Sequence, residues 1–70
     1  MRILVVVEQT ETGYSAYAPD LPGCAATGAT RESVEGTIRE AIAFHLEGLR
    51  AEGIAPPDTH AYATVVEVAA

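Results

Sequence analysis

The stretch from Gly13 to Gly28 limits most sharply what this chain can fold into. Tyr14 to Ala18 has the residue types of a strand. Pro19-Asp20-Leu21-Pro22-Gly23 cannot prolong it, because Pro22 fixes φ and has no N–H to give, while Gly23 permits a left-handed turn. Cys24 to Gly28 then reads as a second short strand of small residues, and Thr30 is a ready helix N-cap, with Glu32 placed to favour the helix dipole. A strand, a tight corner, a strand and a helix start within 20 residues require an α+β arrangement.

The flanks complete the pattern. Arg2 to Gln9 holds the unbroken run Ile3-Leu4-Val5-Val6-Val7, mostly β-branched, which predicts a central strand buried on both faces. Thr10 to Gly13 is a turn that makes Tyr14 to Ala18 the antiparallel partner of this strand. Either turn length that Thr10 to Gly13 allows pairs odd positions of the first strand with even positions of the second. Ile3, Val5 and Val7 then share a face with Tyr14, Ala16 and Ala18, and Leu4 and Val6 share the other with Ser15, Tyr17 and Pro19. Val34, Ile38, Ala41, Ile42, His45 and Leu49 recur at helical spacing, Glu35 and Arg39 stand at i,i+4, and Gly53 with Pro56-Pro57 stops the helix. Ala61 to Val68, with Tyr62, Thr64, Val65, Val66 and Val68, has the composition of a last strand.

The expected fold is therefore β-β-β-α-β in one domain over residues 1–70: a mixed four-stranded sheet of order 3-2-1-4 with one helix on one face. The last strand lies beside the first through a right-handed crossover. One helix covers one face of one sheet, so Leu4, Val6, Tyr17 and Val65 are left as an apolar patch and are the candidate oligomer or partner interface. A 70-residue domain is marginal alone, and its single cysteine, Cys24, allows no internal disulfide. Self-association, as a dimer or higher, is the remaining route to stability.

Charge narrows the partners. Ten acidic residues oppose four arginines and no lysine, a formal net charge of −6. Such a surface disfavours phosphates, hence DNA or RNA, and anionic membranes, and it suits a basic protein partner. The apolar run is too short to span a membrane or to act as a signal segment, so a cytoplasmic location is expected.

No chemistry is spelled out. His45 falls on the apolar stripe with no nucleophile or carboxylate aimed at it, and reads as a histidine of the helix–sheet seam. Cys24, after the Pro22-Gly23 corner, reads as a small core filler. Glu8, Asp20 and Glu67 do not converge into a two-metal site. The glycines open no phosphate loop, and Tyr14 and Tyr17 alternate faces and cannot stack bases together. No catalytic, cofactor or metal site is expected, and the chain is read as a non-enzyme.

The apolar first strand, Gly13 to Tyr17, Pro19-Asp20-Leu21-Pro22-Gly23-Cys24, Thr27-Gly28, Thr30, and the helical Ile38-Arg39-Glu40-Ala41-Ile42 with His45-Leu46 together resemble the HicB-like antitoxin family, in its short form with the N-terminal domain only. The resemblance implies a truncated ribonuclease-H-like fold. It also implies a non-enzymatic protein that binds and inhibits a small basic HicA-like toxin, a ribonuclease that cuts mRNA. The alternative is a stand-alone oligomeric regulatory or ligand-binding domain. In that reading a pocket joins Cys24 and His45.

Overall fold

A computed structural model describes all 70 residues. Three strands, β1 (Val6–Gln9), β2 (Tyr14–Tyr17) and β3 (Ala25–Gly28), precede one helix, α1 (Arg31–Ala51). The sheet is antiparallel throughout, in the order β1-β2-β3.

The hairpin fixes the faces as the alternation requires. Thr10 donates its N–H to the Gly13 carbonyl at 2.8 Å, and Val6 stands opposite Tyr17, Val7 opposite Ala16, Glu8 opposite Ser15 and Gln9 opposite Tyr14. At the second corner the Leu21 N–H bonds to the Ala18 carbonyl and the Cys24 N–H to the Leu21 carbonyl, both at 3.0 Å, with Gly23 at φ 82°. The corner thereby swings Leu21 inward, where it is fully buried.

The helix begins at a reciprocal cap. Thr30 Oγ1 accepts the Ser33 N–H and Ser33 Oγ accepts the Thr30 N–H, each at 3.1 Å. It ends where the N–H of Gly53 bonds to the Arg50 carbonyl and that of Ile54 to the Leu49 carbonyl, so two otherwise orphaned carbonyls are satisfied. Between β3 and α1 the backbone has no room for a side chain. A Cβ on Gly28 would lie 2.6 Å from Ser33 Oγ and 2.7 Å from the Val34 nitrogen. This close approach seats the helix over the small residues of the sheet.

Ala16, Ala18, Leu21, Cys24, Val34 and Ile38 form the core, with Ile3, Val5, Tyr14, Ala26, Ala41, Ile42 and Leu46 packed around them. Few large side chains are wholly enclosed. Each of Leu21, Val34 and Ile38 contributes roughly 2 kcal/mol by burial, which leaves little reserve in a domain of this length. The expected Glu35–Arg39 pair does not form. The ion pair present is Glu47–Arg50, at 2.8 Å on the exposed helix surface, where such pairs contribute little.

The mixed four-stranded sheet of order 3-2-1-4, and with it the truncated ribonuclease-H-like arrangement, is not what this chain forms. Residues 54–70 contain no strand, so there is no second parallel strand and no crossover. Strand-forming side chains are not enough: a strand exists only where its N–H and C=O groups meet a free edge. Here the chain beyond Pro56-Pro57 is caught at another place. The Asp20 carboxylate, in the β2–β3 corner, accepts the N–H of His60 at 3.1 Å and that of Ala61 at 3.1 and 3.3 Å. From there the segment leaves the body. The molecule measures 49 × 27 × 16 Å with a radius of gyration of 14.0 Å, against about 11 Å for a compact chain of this size. In consequence β1 is an edge strand rather than a central one, and Val7 is exposed.

Candidate interaction surface

The face of the sheet turned away from α1 is built by simple alternation. Val6, Tyr17 and Ala25 form one cross-strand row, and Glu8, Ser15 and Thr27 the next. Leu4 lies two residues before Val6 on the same side. Leu4 and Val6 are half-buried, and Tyr17 keeps 44 % of its surface exposed. Three of the four residues singled out from the sequence thus fall on one side of the sheet. Val65 does not join them: it sits on the strand-free segment with 95 % of its surface exposed. Phe44, which the sequence pattern did not single out, adds an aromatic ring on α1 that is 82 % exposed. Its position off the Val34–Ile38–Ile42 stripe was the signal available.

The negative charge is unevenly spread. On α1 four carboxylates (Glu32, Glu35, Glu40, Glu47) face three guanidiniums (Arg31, Arg39, Arg50), so the helix is close to neutral. Elsewhere Glu8, Glu11, Asp20, Glu52, Asp58 and Glu67 are balanced by Arg2 alone. The surplus therefore belongs to the sheet, its turns and the C-terminal segment.

Cys24 and His45 do line one shallow depression on the β3 side of the helix, together with Phe44, Leu49 and Glu52. Cys24 itself is buried and unpaired. The side-chain hydrogen bonds of the chain join Thr30 with Ser33, Arg50 with Glu47, and Asp20 with the amides of residues 60 and 61, so none orients His45 towards the thiol. No group of three His, Cys, Asp or Glu side chains is placed to hold a metal ion, and Asp20 is engaged with the backbone rather than with Glu8 or Glu67. No helix is long and apolar enough to cross a membrane.

These features define a class: a small acidic α+β domain, one helix on a three-stranded antiparallel sheet, with apolar surface left uncovered on the sheet and on the C-terminal segment. Residues 3–69 match the family described as the HicB_like antitoxin of bacterial toxin-antitoxin system, and the chain belongs to that family. Among its relatives is a UPF0150 protein of Helicobacter pylori, 40 % identical over 55 residues that make up 79 % of this chain and 76 % of that protein. Another is a 14.9 kDa protein from the rep-hol intergenic region of Haemophilus phage HP1, 38 % identical over 45 residues. That match covers 64 % of this chain but spans about a third of the phage protein (34 %). In three dimensions the chain is similar to a chain of the solved "HicA3 and HicB3 toxin-antitoxin complex", with a TM-score of 0.61 and 32 % identity, covering 77 % of this chain and 66 % of that one.

Proposed function

We propose that this protein is the inhibitory partner of a small basic HicA-type ribonuclease: it binds the toxin, covers its active site and performs no catalysis of its own. The observation that carries this reading is membership of the HicB-like antitoxin family over nearly the whole chain, joined to the likeness to a chain of a HicA3–HicB3 complex. The physical properties agree with it. A cationic RNA-cutting enzyme is drawn to a surface whose surplus carboxylates lie off the helix, on the sheet, its turns and the C-terminal segment, because complementary charge steers encounter and disfavours wrong partners. The open face of Leu4, Val6 and Tyr17 supplies the apolar centre such a contact needs, with Glu8 beside it as a polar neighbour. Since the toxin's substrate is mRNA, both partners act in the cytoplasm, and the working form of this chain is a homo-oligomer.

Co-expression with a small basic HicA-type ribonuclease, sought first in the neighbouring reading frame, tests the proposal. The expected outcome is growth restored to cells poisoned by that protein, and a stable complex on co-purification. Loss of rescue in Tyr17→Asp, with the helix content unchanged, places the contact on the open face. Unrelieved toxicity with no complex at equal expression contradicts the proposal.

One observation favours a second reading, a stand-alone ligand-binding domain: the shared depression of Cys24 and His45. It predicts a small molecule whose binding is lost in Cys24→Ser, and a Cys24→Ser variant that retains every interaction of the parent removes it.

A further inference from the structure

We infer that residues Tyr62–Val68 are an exchange arm, which adds as an extra strand to the free edge of β1 in a second copy of this chain. The chain's own sheet stays three-stranded. What completes its edge comes from outside.

The arm has the residue types of a strand and nothing to pair with. Tyr62 keeps 82 % of its surface exposed, and Val65, Val66 and Val68 are exposed as well. No residue after Ile54 makes a backbone–backbone hydrogen bond. An extended apolar segment with unpaired amides is costly to leave in water and is a template for association.

The receiving site lies on the same molecule. β1 has a neighbour on one side only. Along its free side runs an open groove between Ile3, Val5 and Val7 of the strand region and Ile38, Arg39 and Ile42 of α1. β1 itself spans four residues, about 13 Å at about 3.3 Å per residue, and the seven-residue arm covers it with three residues to spare alongside Ile3 to Val5. Alternation puts Tyr62, Thr64, Val66 and Val68 on one side of the arm and Ala63, Val65 and Glu67 on the other. The first set suits the apolar groove. The second then continues the open face, which brings a partner's Val65 into line with Leu4, Val6 and Tyr17.

The Asp20 latch explains why a second copy is the occupant. By clamping the amides of residues 60 and 61 at the sheet corner, it fixes where the arm departs, and the exposed residues beyond it do not return to pair with their own sheet. A chain that carries both an arm and an empty groove is self-complementary, and two copies related by a two-fold axis satisfy both reciprocally. This pairing does not rest on the toxin reading, and its test uses no ribonuclease.

Light scattering of the purified protein gives the first readout, and a mass of two chains is expected. Val66→Asp with Val68→Asp, on the arm, and Val7→Arg, on the receiving edge, should each weaken the dimer by at least about tenfold and shift it to a single-chain mass. The helical circular dichroism should be kept, since the substituted side chains are exposed. In a Cys24→Ala background, Val7→Cys on one tagged copy and Val66→Cys on a differently tagged copy should be joined by a short bis-maleimide when mixed. A single-chain mass for the unaltered protein overturns the inference, as does a two-chain mass indifferent to all three substitutions. So does a cross-link found within one chain of the Val7→Cys, Val66→Cys double variant but never between tagged copies.

Discussion

Asp20 has a structural task that local patterning does not reveal. Its carboxylate accepts N–H groups 40 and 41 residues away in the chain, and charge-assisted bonds of this kind are worth more than neutral ones. Asp20→Ala should therefore free the amides of His60 and Ala61 to exchange with solvent and cost about 1 kcal/mol, and hydrogen exchange followed residue by residue checks it. Gly28 is constrained by contact rather than by chemistry. Gly28→Ala drives a methyl group against the backbone of Val34, which cannot swing aside as a side chain can. A loss of about 2 kcal/mol is expected, visible as a lowered urea midpoint. Leu21, wholly enclosed by the β2–β3 corner, is the largest contributor to a small core. Leu21→Ala should cost about 3 kcal/mol, enough to leave most of so small a domain unfolded at 37 °C, as circular dichroism would show.

At the scale of elements, the helix rests on its ends as much as on its stripe. Thr30→Ala removes one bond of the reciprocal cap with Ser33 and should cost about 1 kcal/mol, read as a lower thermal midpoint with unchanged fold. The split of faces between β1 and β2 and the helix ends were legible in the sequence because their causes are local: side-chain alternation, a capping hydroxyl and a glycine stop. The pairing register itself came only with the turn that the structure shows. The split of Leu4, Val6 and Tyr17 from the core face followed from the same alternation. The last strand was misread for the opposite reason. Tyr62, Val65, Val66 and Val68 announce a strand, but pairing is decided by where the chain is led, and the bond from Asp20 that leads it spans more of the sequence than any pattern encodes. The same omission turned β1 from an expected central strand into an edge, and it separated Val65 from the three residues with which it had been grouped.

For the whole molecule, shape and charge act together. A domain with two or three large enclosed side chains, an uncovered sheet face and a protruding segment has surface to complete by association. In the proposed function its surplus carboxylates select a cationic partner to do so. Binding to such a partner should weaken on the order of tenfold as salt rises from about 0.05 to about 0.5 M, because exposed charges are screened over a shorter distance. The account turns on inhibition, and the most direct measurement is cleavage of an mRNA by a HicA-type ribonuclease, the partner proposed for this chain, followed as the protein is titrated in. The result predicted is a linear fall in cleavage that reaches zero at a fixed, near-stoichiometric ratio, with Tyr17→Asp displaced to a large excess. Undiminished cleavage at a several-fold excess of folded protein would contradict it.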